Sequence, residues 1–284
     1  MEASDFLASL ERLRRHSGKG VRAPHKPLLL LYALARFKDG REAIRYRDAE
    51  TVLPTLLRTY GPQGTKARVA DPFVRLRSDG IWRLDAAPNL FDASGQGRPA
   101  AMSAADPEAG FTAEVLGLLR RHPGLADRAA RRLLEANFAP GLHDDIAAAV
   151  GLYLEGGERG PRDSRFRDAV LRAYLSECAI CRFQLRCGDG LVGLEAAHMR
   201  WHAFGGACDV GNGLALCVLH HRLLDLGVLT LTDDLRVEVS RSVSGQSARQ
   251  VLELDGAEIA LPPGAMDRPR AENITWHRRN VFRG

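Results

Sequence analysis

The sequence predicts an α+β protein of two domains, the first mostly helical with a small hairpin and the second richer in short strands. Three observations lead there. The chain has 284 residues, which fits two domains at ~100–200 residues each. Apolar residues recur at helical spacing through the first half. Past residue 175 they shorten into strand-like runs around a cluster of cysteines and histidines. Hydrophobic residues make up 45% of the chain and charged residues 26%, an ordinary globular balance. That excludes a largely disordered chain, a collagen-like fibre and a disulfide-dense miniprotein.

Taken in order, Ser4 is placed to cap a first helix whose apolar stripe is Phe6, Leu7, Leu10 and Leu13, broken by Gly18 and Gly20. Pro27 then opens a nearly all-apolar helix, Leu28 to Phe37, expected to be the buried core helix of this domain. A third helix is expected over 48–58. Phe73–Arg77 and Ile81–Asp85 flank Ser78-Asp79-Gly80 and read as a hairpin. Residues 86–110 read as loop. Thr112 reads as a helix N-cap, and helical stretches follow at 115–119, 129–138 and 144–154. The polar Gly/Pro stretch Glu155–Arg162 is the best linker, giving domains at 1–155 and 163–284 with the linker at 156–162. The second domain opens with a helix, Phe166–Leu175. Strand-like runs at Val228–Thr232 and Leu235–Val239 surround Asp233-Asp234, and a final amphipathic segment spans Ala271–Phe282.

The charge is uneven. Residues 1–100 carry 18 basic and 11 acidic side chains, whereas 101–284 carry 22 and 24. Only Lys19, Lys26, Lys38 and Lys66 among the basic residues are lysines. A GC-rich genome would favour arginine codons on its own, but a basic first third also suits a polyanionic partner. The longest apolar run, Leu28–Ala35, is far short of the ~20 residues that cross a bilayer. The start, Met1-Glu-Ala-Ser-Asp5, has no basic region leading into an apolar stretch. The expectation is a cytoplasmic protein, away from membranes, whose five cysteines are thiols or metal ligands.

Cys178-Ala-Ile-Cys181 is followed 36 residues later by Cys217-Val-Leu-His220. Each pair has two intervening residues, so two ligands from one tight turn reach a single tetrahedral Zn²⁺. Four protein ligands leave no open position, which makes that zinc structural. Cys187 and Cys208 are left over as packing thiols, with Cys187 a minor alternative ligand.

Between the two pairs lies Leu194-Glu-Ala-Ala-His198, then Gly211-Asn212-Gly213-Leu214, then His221 directly after the last proposed zinc ligand. Over about 166–235 the sequence resembles the HNH nucleases, whose ββα-metal fold is often stapled by such a zinc. His198 matches the first H, Asn212 the N and His221 the last H, and Leu216–Gly227 fits the family's second knuckle and helix, including Asp225. The resemblance implies that His198 is the general base, that Asn212 orients the base or the loop around it, and that His221 ligates Mg²⁺, Mn²⁺ or a similar catalytic ion. The chemistry is consistent. Hydrolysis of a phosphodiester needs a base for water and a cation near the phosphate, and a histidine is a base at neutral pH. One position departs from the family. Many HNH enzymes carry an Asp or His directly before the base; here it is Ala197. Glu195, two residues earlier, would share a strand face with Ala197.

The first domain carries Ala23-Pro-His25-Lys26-Pro27, then Ala70-Asp71-Pro72-Phe73-Val-Arg75, then Gly95-Gln96-Gly97-Arg98-Pro99-Ala100. This order resembles the sulphur-binding domain of McrA-type restriction endonucleases, which bind phosphorothioate-modified double-stranded DNA and cut nearby. A sulphur in place of a phosphate oxygen accepts hydrogen bonds poorly and costs less to desolvate, so an apolar dimple favours it. Pro72, Pro99 and Ala100 are suitable lining. His25, Lys26, Lys66, Arg75 and Arg98 are candidates to hold the phosphates, and Gln96 to read a base edge. Asp71 replaces the aromatic residue that often precedes the family's proline. Two rivals stand beside this reading. An HNH enzyme specific for methylated or hydroxymethylated cytosine would need an aromatic cage. A non-enzymatic zinc-finger regulator would need the zinc ligands but not His198, Asn212 and His221. Cutting both strands takes two active sites or two visits, which a homodimer would provide.

Overall fold

The computed structural model describes residues 1–13, 17–18, 21–61, 65–154 and 161–284. The chain divides into two compact units, Met1–Gly156 and Gly157–Gly284. Gly20 and most of the expected linker lie outside the described residues, and Pro161 and Arg162 already belong to a helix.

The first unit is built around one buried helix. Helix α1 spans Ala3–Glu11. Its cap is Glu2 rather than Ser4: the Glu2 and Asp5 side chains each accept from the other's backbone N–H, which satisfies two donors of the first turn that Ser4, inside the helix, cannot reach. A short pair, β1 (Ser17–Gly18) and β2 (Val21–Arg22), is antiparallel. Helix α2 runs His25–Lys38, with Pro27 tolerated in its first turn. Leu28, Leu29, Leu30 and Leu31 are 0% exposed, each side chain contributing ~1.5–3 kcal/mol by burial. Helix α2 is apolar on every face from Leu28 to Ala35, and α3 (Tyr46–Tyr60), α4 (Ala70–Arg75), α7 (Leu125–Glu135) and α8 (His143–Val150) pack against it. Helix α6 (Ala113–Arg121) is capped by Thr112, whose hydroxyl accepts from Val115 N–H at 3.4 Å.

Two local expectations fail here. Phe73–Arg77 is not a strand; α4 covers Ala70–Arg75 and a 3₁₀ turn continues through Asp79. Asp71 and Pro72 both suit a first helical turn, and packing against α2 outweighs the strand preference of Phe73 and Val74. Strand β4 (Trp82–Asp85) therefore finds its partner elsewhere. It pairs with β5 (Glu108–Phe111), which also pairs with β3 (Ile44–Arg45), in an antiparallel sheet ordered β3-β5-β4. Residues 86–110 are accordingly not all loop. They also hold α5 (Pro99–Ala105), where Pro99 takes the first helical position and an alanine-rich run continues. Tyr46, Phe73, Trp82, Phe111 and Phe6 form a chain of edge-to-face contacts with centroids 5.2–6.3 Å apart.

The second unit opens with α9 (Pro161–Ala173). A small pair, β6 (Arg186–Cys187) with β7 (Gly190–Leu191), precedes β8 (Leu194–His198). Strand β8 pairs antiparallel with β9 (Gly213–Cys217), His198 opposite Gly213. Helix α10 (Val218–Asp225) packs on both strands and completes a ββα unit. The strand-like runs expected on either side of Asp233-Asp234 form β10 (Leu229–Leu231) and β11 (Val237–Val239), which pair antiparallel. Helices α11 (Ala248–Leu252) and α12 (Ala271–Asn280) follow. Among the described residues no helix is long and apolar enough to cross a membrane.

Candidate functional site

In the second unit the four expected zinc ligands converge. One ligand atom from each of Cys178, Cys181, Cys217 and His220 lies within 4.8 Å of the others. His220 Nδ1 is 3.4 Å from Cys178 Sγ and 3.3 Å from Cys217 Sγ, and Cys181 Sγ is 4.0 Å from Cys217 Sγ. The hydrogen bond from Cys217, together with His220, draws the Cys178 thiol down to about 3. The same bond and burial push Cys217 up, and burial pushes Cys181 up. A cation bound among the three sulphurs would offset the repulsion between their thiolates, as a tetrahedral metal does. Cys187 and Cys208 are exposed and lie outside the cluster.

His198 ends β8 and is 7% exposed. Its ring stacks on Phe166 of α9, centroids 3.9 Å apart and planes 15° off parallel. Burial, then the neighbouring His202 and His221, lowers its pKa to about 4 against the pull of Asp225 and Asp209. The ring is therefore neutral at pH 7, the form a base requires. Its Nε2 is buried and has no hydrogen-bond partner among the described residues.

Asn212 does not face that ring. Its Oδ1 accepts from Arg200 N–H, and its Nδ2 donates to Arg200 O and Ala207 O, each at 2.9 Å. Fully buried, it clamps the loop that follows His198. Gly206 passes close beneath: a Cβ there would stand 1.8 Å from Arg200 O.

His221 lies one turn before Asp225 on α10. Its Nδ1 is 2.8 Å from Glu195 Oε2 and its Nε2 is 3.3 Å from Asp225 Oδ2. Burial lowers its pKa, but Asp225 and then Glu195 outweigh that and raise it to about 9. Glu195 thus reaches the helix His from the strand, a contact that sequence spacing left open and that no local pattern announces. Phe166 reads in the sequence only as a helix-stripe residue.

In the first unit two of the other candidates, Pro72 and Arg75, lie on α4. The His25 ring contacts Lys66 O at 2.7 Å, tying the start of α2 to the segment before α4. Arg75 and Lys66 are exposed. The turn at 91–98 is organised by Asp92, whose Oδ1 accepts from Ser94 N–H, the Ser94 hydroxyl and Gln96 N–H. These bonds hold its carboxyl below the usual range. Gly97 seats the turn on α4, where an added Cβ would stand 2.9 Å from Val74 Cγ2. Arg98, Pro99 and Ala100 are exposed at the start of α5, and Gln96 is half-buried. Asp71 lies 3.8 Å from Arg68, which offsets its charge.

Two residues sit differently from what the sequence implies. Pro72 is buried. The Lys26 ammonium is buried against Asp79 at 2.5 Å, side chains 8% and 4% exposed, so it is engaged inside the unit rather than offered to a phosphate. Of this unit's aromatic residues, Tyr46, Phe73, Trp82 and Phe111 are buried in the core, whereas Tyr153 is 83% exposed.

The family model of the ScoMcrA-like DNA sulfur-binding domain matches residues 3–155, and that of the HNH endonuclease matches residues 178–232. No curated protein matches the chain. Among solved structures it is similar to the sulfur binding domain of ScoMcrA complexed with phosphorothioated DNA, with 25% identity and a TM-score of 0.46, covering 52% of this chain and 95% of that one. It is similar to the sulfur binding domain of SprMcrA complexed with phosphorothioated DNA, with 23% identity and a TM-score of 0.44, covering 55% and 98%. A third similarity is to the type IV phosphorothioation-dependent restriction endonuclease ScoMcrA, with 24% identity and a TM-score of 0.43, covering 60% of this chain but only 38% of that one. With more than half of its length matched by the first model, the chain belongs to the ScoMcrA-like DNA sulfur-binding domain family, and it carries an HNH endonuclease domain behind that reader.

Proposed function

We propose that this chain is a modification-dependent restriction endonuclease. Residues 1–155 bind a phosphorothioate in double-stranded DNA, and the second unit, from α9 onward, hydrolyses a phosphodiester nearby. The observation that carries the hydrolytic half is His198: a neutral imidazole, dried on one face by Phe166, whose buried Nε2 has no protein partner among the described residues. A buried acceptor of this kind calls for a polar partner, and the water that attacks the phosphate is the partner a general base needs. Asn212 holds the loop after the base in place. His221 faces the cation. Cys178, Cys181, Cys217 and His220 hold a structural Zn²⁺ with no position left for substrate. Mg²⁺ or Mn²⁺, when bound beside His221, supplies charge stabilisation at the phosphate and the leaving 3′ oxygen.

For recognition, Pro99 and Ala100 present exposed surface without side-chain donors directly beside Arg98. Sulphur loses little against such a surface, whereas an oxyanion there loses its donors. Arg98, Arg75 and Lys66 hold the surrounding phosphates.

The test is a gel shift of the full chain on matched duplexes with and without one phosphorothioate, followed by cleavage of both. Selective retention and cutting of the modified duplex is expected, with His198→Ala binding it but leaving it intact. Equal affinity for the two duplexes discards sulphur reading, and wild-type cutting by His198→Ala discards the base.

A further inference from the structure

The HNH resemblance leaves the catalytic cation one ligand short, because Ala197 stands where a carboxylate or imidazole often precedes the base. On strand β8 Glu195 and Ala197 share a face, and Ala197 is fully buried with only a methyl group to offer. The longer Glu195 side chain takes over that face and brings Oε2 to 2.8 Å from His221 Nδ1.

His221 therefore stands between two carboxylates that are not equivalent. Asp225 is deeply buried, its side chain 1% exposed, and Oδ2 makes no hydrogen bond; its nearest charged neighbour is His221 Nε2 at 3.3 Å. The Glu195 side chain is 31% exposed. Of the two carboxylates, Glu195 is the one open to solvent, from which a phosphate arrives. A buried carboxylate behind the far ring nitrogen is what fixes the tautomer and orientation of a metal-binding histidine. Without an ion, Nδ1–H donates to Glu195 Oε2 across that 2.8 Å. A divalent cation that displaces this proton meets the Nδ1 lone pair and the carboxylate oxygen together. Adjacent ligands of an octahedral Mg²⁺, each ~2.1 Å from the ion, stand ~3 Å apart, close to the observed spacing.

We propose that Glu195 Oε2 and His221 Nδ1 are adjacent ligands of the catalytic divalent cation, and that Asp225 orients His221 from behind. Glu195 then supplies the carboxylate that Ala197 does not. This rests on the nuclease reading above and adds a ligand set to it.

The experiment titrates Mn²⁺ into the zinc-loaded full chain and follows free Mn²⁺ by electron paramagnetic resonance, with zinc content and thermal melting recorded for each variant. Glu195→Gln keeps the size and a hydrogen-bonding oxygen but loses the charge. It is expected to weaken Mn²⁺ binding by at least about tenfold with zinc and melting unchanged. Glu195→Asp should recover part of the loss, and Asp225→Asn should weaken binding by about tenfold, as outer-shell changes do. Glu195→Gln that holds Mn²⁺ within about twofold of wild type, while wild type cuts modified DNA, overturns the ligand assignment and leaves the nuclease reading standing. Wild type that takes up no Mn²⁺ and cuts no duplex overturns both.

Discussion

Replacing Asn212 by alanine removes three side-chain hydrogen bonds of 2.9 Å from a site with no solvent exposure. The groups left behind are the Arg200 N–H, Arg200 O and Ala207 O. A buried partner stranded in this way costs ~1–3 kcal/mol. Allowing for water entering the vacated space, ~3–5 kcal/mol is expected, a large share of the ~5–15 kcal/mol that typically separates folded from unfolded. Asn212→Asp is the sharper variant. It keeps the acceptor for Arg200 N–H but turns a carboxylate toward two carbonyl oxygens, so it should be at least as destabilised as alanine. Gly206→Ala should resemble both, because its Cβ would meet Arg200 O at 1.8 Å and Asn212 Nδ2 at 2.8 Å. The double variant Asn212→Ala with Gly206→Ala should lose less than the sum, since both break one clamp. Urea unfolding of the zinc-loaded full chain, followed by the fluorescence of Trp201 and Trp276, reads these energies. Cleavage of modified duplex reads the base position. Asn212→Ala within about 1 kcal/mol of wild type, or Asn212→Asp more stable than Asn212→Ala, would refute the clamp.

Cys181 is exposed, so Cys181→Ser opens no core cavity; it should still lose zinc and the folding of the second unit, because structural zinc contributes folding energy directly. Elemental analysis showing stoichiometric zinc in active Cys181→Ser would remove it from the ligand set. His277 is fully buried between Thr230 Oγ1 at 2.8 Å and Leu224 O at 3.1 Å, and burial lowers its pKa to about 4. Its folded pKa lies below the unfolded value, so its contribution is complete above pH ~6.5 and fades as pH falls toward 4; between pH 7 and pH 5 about 2 kcal/mol should go. His277→Gln should lack that increment when unfolding free energies at the two pH values are compared. Asp79→Asn leaves the Lys26 ammonium buried without its counter-charge and should cost ~3–5 kcal/mol, measured by denaturant unfolding. Lys26→Met should likewise act on stability and leave the salt slope of DNA binding unchanged, whereas Arg98→Ala should lower that slope by about one.

The parts of the site that local chain geometry dictates were legible in the sequence. Cys178-x-x-Cys181 and Cys217-x-x-His220 need only two tight turns to form, and they meet as expected. The Thr112 cap and the nearly all-apolar α2 are likewise local. Pairings across long separations left no such trace. Strand β4 was visible, but its partner β5 lies in a Pro/Gly/Ala-rich stretch more than twenty residues on. Phe73 and Val74 carry strand preference, yet packing on α2 makes them helical. Asp79 looked like a turn residue, and only the fold shows it meeting Lys26. Glu195 is two residues from the family's usual position, and only the side-chain path across β8 and α10 brings it to His221.

Gly213 follows the clamp asparagine directly, and its role is set by what lies above it. A Cβ there would stand 2.4 Å from Val170 Cγ2 and 3.1 Å from Phe166 Cζ, and Phe166 is the ring that dries His198. Any side chain at 213 would lift that ring and admit solvent to the base. The Asn-Gly pair is thus one unit of sequence constraint: the first residue positions the loop, and the second sets the polarity the base experiences. A substitution scan scored by cleavage should find 212 and 213 about as intolerant as His198 itself, although neither touches the phosphate. Drift in this enzyme is then limited by backbone clearance as much as by the groups that do the chemistry.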